Sequence, residues 1–306
     1  MPPSRFTCAE VVDAERGGMT KVVLSGDEGN KVEVFLFGAT VTSWTSGGAE
    51  RLYLSPNAVF NSAKAIRGGI PLVFPQFGQP SPAMPQHGFA RTSLWSWECA
   101  CHECAAGEGR LVLRLASSAE TENVWGPHAF ELTYTITLTA STLHCHLAIL
   151  NSGAESAFRC HALLHTYLGL PAGSDISDLR ATGFKGYQFI DKMADGAVLA
   201  EERDVVSVDK ETDRIYLAHK QEIPDISLSN SSGPFMTVSK SATLKGQPFP
   251  ADVVFWNAWS AKSAALPDLG EGAYHSYICV EPGTVSEYVT VEPGAVLTVE
   301  TKLSVA

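Results

Sequence analysis

Long apolar runs are missing: no stretch approaches the length that crosses a bilayer as a helix, so no membrane role is expected. Basic charge is short, with 22 Lys and Arg against 33 Asp and Glu, a net charge of −11. So acidic a chain is a poor partner for nucleic acid or anionic lipid. An anionic substrate would have to be met by a local group of Arg or Lys working against the overall field. Several signatures are also absent. There is no G-x-x-x-x-G-K-[ST] phosphate loop, no H-E-x-x-H zinc helix and no G-x-S-x-G nucleophile elbow. Gly270-Glu271-Gly272 lacks the third glycine of a dinucleotide fingerprint. Nucleotide, zinc-protease and serine-hydrolase chemistry all lose ground.

Seven cysteines at irregular spacing argue against a disulfide framework and for reduced thiols. Cys99, Cys101, His102 and Cys104 are soft-ligand types, but zinc sites usually pair two short clusters and no second one follows. No metal is expected. The start, Met1-Pro2-Pro3-Ser4-Arg5, has no basic stretch leading into an apolar core, so no secretory signal is read and a cytoplasmic protein is expected.

What is present is period-two patterning. Phe130, Leu132, Tyr134, Ile136 and Leu138 alternate with polar residues, and Leu297, Val299, Thr301 and Leu303 do the same near the end. Successive side chains of a strand point to opposite faces, so this is the mark of half-buried strands. Further strands are expected at Lys31–Phe37, Leu94–Ala100, Arg110–Ala116, Thr142–Leu150, Asp204–Val208, Asp252–Trp256 and Tyr274–Val280. Helical patterning is scarce, with short helices expected only at Pro56–Lys64 and Asn257–Ser263. The fold class is therefore all-β, a large antiparallel β-sandwich with few short helices. No repeat or linker-like run divides the chain, so residues 1–306 are expected to form a single domain.

Some segments depart from this pattern. Arg67-Gly68-Gly69-Ile70-Pro71 through Phe74-Pro75-Gln76-Phe77-Gly78 to His87-Gly88-Phe89-Ala90-Arg91 is apolar and rich in Gly and Pro, as a loop shaping a pocket would be. His165 stands in an apolar strand, where an imidazole must be hydrogen-bonded or put to use. Glu281 ends an apolar strand, and the following Pro282-Gly283 is expected to turn the chain. A carboxylate there is partly desolvated, which raises its pKa and makes it a better proton acceptor near neutrality.

Taken in order, these segments resemble the aldose 1-epimerase superfamily, in its hexose-6-phosphate mutarotase branch. Added to them are Leu164-His165-Thr166-Tyr167, Ile190-Asp191-Lys192, Trp256-Asn257-Ala258-Trp259 with Lys262, and Cys279-Val280-Glu281-Pro282-Gly283. The resemblance implies a galactose-mutarotase-like supersandwich with its site on a concave face. It implies a cofactor-free enzyme, an isomerase that interconverts the α and β anomers of a hexose 6-phosphate, glucose 6-phosphate first among them. His165 and Glu281 would be the catalytic acid and base. Arg67 and Arg91 would hold the phosphate, with Gln76 and His87 completing that wall and Asp191 bonding sugar hydroxyls. Family habit makes it a monomer with a small-molecule sugar phosphate as its partner. Lys192 and Lys262 stay open between site residues and surface charges. His161, four residues before His165, shares its face on a strand and leaves the identity of the acid open between two imidazoles. The competing readings are an epimerase of unphosphorylated aldoses and a noncatalytic carbohydrate-binding protein. Two pocket arginines speak against the first, and a paired acid and base against the second.

Overall fold

The computed structural model describes residues 6–99, 107–218 and 222–306. The alternation seen in the sequence becomes long antiparallel hairpins. Phe130–Leu138 pairs with Thr142–Asn151, which pairs in turn with Val296–Val305. Phe130, Tyr134 and Ile136 on one face are fully buried, while Glu131 on the other is exposed. These strands are central to a nine-stranded sheet, and an eight-stranded sheet and a five-stranded sheet accompany it. Every strand-to-strand pairing described is antiparallel apart from a single parallel bridge between Phe74 and Gly88. Among the described residues no helix is long and apolar enough to cross a membrane.

The eight-stranded sheet positions the site. Its order runs from Ala197–Ala200 through Gln188–Asp191, Thr212–Tyr216, Asp252–Asn257 and Tyr277–Val291 to Phe158–Leu164 and Leu72–Val73. One face sends Val253, Phe255, Val280, Cys160 and Leu164 into the main core, against Leu147, Leu297 and Val299 of the nine-stranded sheet. Full burial of each such side chain stabilises the fold by about 1.5–3 kcal/mol. The opposite face presents a second cluster that includes Leu163, Ile215, Val254, Trp256 and Cys279. Alternation along each strand therefore separates core-facing from cavity-facing residues.

Several expectations need correction. Residues 56–64 form turns and bends, because Ser55 Oγ accepts from Asn57 N and Asn61 Oδ1 accepts from the amides of Ala63 and Lys64. Such local bonds compete with a helix. The second expected helix forms at Trp259–Ala265, and a further one at Ala119–Trp125 is capped reciprocally by Ser118 and Thr121. Asp204–Val208 is not a strand; it contributes one isolated bridge, Val206 to Ala181. Pro282-Gly283 does not turn the chain either. The strand runs on to Val291, with Pro282 opposite Val253 and Gly283 opposite Asp252. The neighbouring strand passes so close to Gly283 that a Cβ there would lie 2.5 Å from the Ala162 carbonyl oxygen. The irregularity falls later, where Thr284 pairs with Ala162 but Val289 pairs with Cys160. The buried Asp252 carboxylate accepts from Val285 N and Ser286 N and holds this bulge. Of the soft-ligand cluster, Cys99 ends the strand Ser96–Cys99, and Cys101, His102 and Cys104 lie outside the described residues.

Candidate active site

Strand register builds the site. Tyr277–Val291 pairs with Phe158–Leu164 at Gly283–Leu163 and with Tyr167–Gly169 at Cys279–Tyr167. The same register carried through the gap sets His165 opposite Glu281. The gap is bridged on the other side, where His165 N donates to Pro71 O. Across the sheet, Glu281 is opposite Val254, which is opposite Ile215; one row along, Cys279 is opposite Trp256, which is opposite Asp213. These residues share one face, so the sheet presents His165, Glu281, Trp256 and Asp213 together, and all four line one cavity of about 140 Å³.

His165 Nδ1 lies 3.2 Å from Glu281 Oε1, within ion-pair range. The two are not aligned as a hydrogen bond, and Nδ1 and Glu281 Oε2 are buried without hydrogen-bond partners. Burial, joined by the Asp213 charge, pushes the Glu281 carboxyl well above the usual carboxylate range. Burial, then His87, Arg91 and Arg67, pushes the His165 imidazole well below its ordinary value. Desolvation thus favours the uncharged form of both groups. A protonated carboxyl beside a neutral imidazole holds one proton, as many as a carboxylate beside an imidazolium, so the pair is a site for one mobile proton. Donor atoms of His165, Cys279 and Glu281 lie within 4.8 Å of one another. That set suits zinc by donor type, while Arg67, Lys192 and Lys262 around the same cavity oppose a cation.

The loop from Arg67 is wedged against the five-stranded sheet. Ile70 N donates to Val41 O and Gly69 N to Tyr53 O. Gly69 has φ +66°, and a Cβ there would stand 1.9 Å from Val41 O, so this approach needs glycine. Arg67 is thereby fixed beside Tyr167: Nη1 donates to the phenol oxygen at 3.2 Å, and Nη2 donates to both Asp268 oxygens at 3.2 and 3.3 Å. A second cavity of about 340 Å³ adjoins the first and shares Arg67, Gln86 and Leu266 with it. Arg91 lines this second cavity with Lys64. Burial and then the Arg67 charge push Arg91 down to about 10, so it stays cationic at neutral pH. Two guanidiniums and an ammonium around one space form the local basic group that an acidic chain needs for an anion. His87 lines the His165–Glu281 cavity with its ring edge-on to His165 at 5.7 Å, and its Nδ1 accepts from Gly78 N.

Two of the expected residues are placed elsewhere. Gln76 is fully buried and does not line either cavity. Its Nε2 donates to the carbonyls of Ser81, Met84 and Pro85, and its Oε1 accepts from Ser81 N, so it pins the loop behind His87. Asp191 pairs across the sheet with Arg214, and so faces away from Asp213 and Ile215. Its carboxylate accepts from Met193 N and lies 3.6 Å from Arg214 Nε. The carboxylate that joins Glu281 in the cavity is Asp213, missed in the sequence because its neighbours in Thr212–Tyr216 give no clean alternation. His161 also stays out: its Nδ1 accepts from Phe77 N and its ring stacks on Tyr288 at 3.9 Å. The shift in pairing between Cys160 and Ala162 takes it off the face of His165. Lys192 and Lys262 both line the cavity; Lys192 Nζ is 3.4 Å from Asp213 and Lys262 Nζ 3.0 Å from Glu211.

Known proteins resemble this chain in sequence and in fold. A Cenchrus ciliaris protein named "Putative glucose-6-phosphate 1-epimerase" is 34% identical over 293 residues, covering 93% of this chain and 83% of its own. An Escherichia coli K12 protein of the same name is 31% identical over 259 residues, covering 84% of this chain and 81% of its own. Among solved structures, a "putative mutarotase" of Salmonella typhimurium superposes with a TM-score of 0.77 at 23% identity, covering 100% of this chain and 95% of its own. Galactose 1-epimerase of Lactobacillus acidophilus gives 0.69 at 16% identity, covering 99% of each chain, a likeness of fold. Residues 20–304 match the aldose 1-epimerase family, and the chain belongs to that family.

Proposed function

We propose that this protein is a hexose-6-phosphate mutarotase, interconverting the α and β anomers of glucose 6-phosphate. The observation that carries the reading is a buried His165–Glu281 pair, 3.2 Å apart, next to a cavity lined by Arg67 and Arg91. Relatives named for glucose-6-phosphate 1-epimerase activity support the same substrate class. In this reading the phosphate binds the two arginines and the anomeric centre reaches the pair. Glu281 takes the proton from the O1 hydroxyl, the C1–O5 bond breaks as the C1–O1 double bond forms, and His165 gives its proton to O5. Rotation about C1–C2 and closure with the roles exchanged yield the other anomer. Asp213 and Lys192, which line the cavity, bond ring hydroxyls in this reading, and Trp256 supplies an apolar wall. The chain acts as a single-domain monomer without a cofactor. A cytoplasmic setting suits a dianionic substrate that does not cross membranes unaided.

The test follows α-glucose 6-phosphate relaxing to anomeric equilibrium by polarimetry, with glucose and galactose as controls. Acceleration confined to the phosphosugar, abolished in Glu281→Gln and weakened in binding by Arg67→Ala, supports the reading. Acceleration of galactose instead moves the protein to unphosphorylated aldoses. No acceleration of any sugar leaves a carbohydrate-binding protein.

A further inference from the structure

Tyr167 lines the arginine cavity and touches both Arg67 and His165. Its hydroxyl accepts from Arg67 Nη1 at 3.2 Å, and its ring lies parallel to the His165 imidazole, 4.8 Å away and 4° from coplanar stacking. Trp256 meets both rings edge-on, each at 6.0 Å, and Tyr277 packs on Tyr167 at 5.4 Å. Tyr167 is 1% exposed, so neither ring can shift without the other. Asp268 accepts two hydrogen bonds from Arg67, whose Nε is buried without a hydrogen-bond partner.

We propose that Tyr167 is a positioning residue that couples the phosphate clamp to the acid–base pair, so that a dianion on Arg67 and Arg91 speeds ring opening as well as anchoring the sugar. This rests on the mutarotase reading and deepens it. A dianion competes with Asp268 for Arg67, and any movement of that guanidinium is passed through the phenol oxygen to the stacked imidazole. The charge effect has the same sign. His165 is surrounded by Glu281, His87, Cys279, Tyr167 and the two guanidiniums; after burial and His87, the arginines hold it low. A phosphate on them cancels that repulsion and favours the imidazolium, the form that protonates O5. Energy from a remote, non-reacting group is thus directed to the reacting centre.

The experiment divides the substrate in two. Mutarotation of unphosphorylated glucose is measured with and without inorganic phosphite dianion, above the enzyme-free rate at the same dianion concentration. Phosphite is used at several times the level at which it competes with glucose 6-phosphate. The expected result is a rise of roughly tenfold or more in the enzymatic glucose rate. In Arg67→Ala and Tyr167→Phe the ratio of rates with and without phosphite falls towards one. Tyr167→Phe also lowers kcat for glucose 6-phosphate with little change in KM, a split that general loosening of the site does not give. Phosphite that competes but leaves the glucose rate unchanged overturns the coupling, as does a Tyr167→Phe enzyme with the full phosphite response. Phosphite that fails to compete removes the clamp itself. If glucose 6-phosphate is not accelerated in the first place, the mutarotase reading falls and the coupling with it.

Discussion

His165 and Glu281 occupy opposed positions on neighbouring segments of one sheet, and their nearest polar atoms are 3.2 Å apart with the carboxylate 1% exposed. Backbone ladders on both sides of the gap fix their separation, leaving little for side-chain rotation to decide. Burial pushes the carboxyl pKa up and the imidazole pKa down, so the two groups titrate as a coupled pair. In the proposed reaction, removal of either removes the function of both.

Glu281→Gln and His165→Asn are each expected to lower kcat for anomer exchange by about 10²–10⁴-fold. The double variant should be little worse than the poorer single one, because residues acting as a unit are not additive. Exchange spectroscopy on the three variants checks this, and multiplicative losses would count against a shared proton.

Burial, with the Asp213 charge added to it, raises the Glu281 carboxyl, so Asp213→Asn should lower the Glu281 pKa. The limb of the kcat/KM profile governed by the carboxylate is expected to move to lower pH. A profile measured from pH 4 to 9 in both enzymes reads the displacement, and an upward shift would contradict the assignment.

Gln76 predicts a stability effect. Four hydrogen bonds tie its buried amide to the 81–85 loop. Gln76→Leu leaves Ser81 N without that acceptor and takes one bond each from the carbonyls of Ser81, Met84 and Pro85, which keep Met84 N, Gln79 Nε2 and Gly88 N, and is expected to cost about 1–3 kcal/mol. Urea unfolding gives the figure; the loss of activity should be small beside that of Glu281→Gln.

His161 makes stability fall with acid. Burial, then the Arg159 charge, pushes its imidazole down to about 4. A group whose folded pKa is depressed contributes stability at pH above its unfolded value, near 6.5, and loses it as pH falls to the folded value. The loss for this residue alone is about 3 kcal/mol between those limits. His87 and His165 are displaced in the same direction. Denaturation midpoints at pH 7.5, 6 and 4.5 should decline in the wild type and decline less steeply in His161→Gln.

Much of the fold can be read in the sequence because half-buried strands impose period-two patterning, as at Phe130–Leu138. The arginine loop is legible for a different reason: Gly69 must tolerate a backbone oxygen where a Cβ would be. What is hidden is parity. Asp191 and Asp213 are both acidic residues in short strands of the same sheet, and only pairing with Arg214 and Trp256 decides which one faces the cavity. The same holds for Pro282-Gly283, a turn signal in isolation, which the strands on either side keep extended. His161 is hidden by a bulge that arises from long-range pairing.

The strand bearing Glu281 lies between Asp252–Asn257 and Phe158–Leu164, and a segment far away in the chain supplies His165. No partly folded chain can bring the two together before the middle of that sheet has closed. Anomer exchange during refolding is therefore a clock for one event: its onset marks the moment when the Tyr277–Val291 strand is inserted, which spectroscopic probes of overall β content would average with the formation of every other strand.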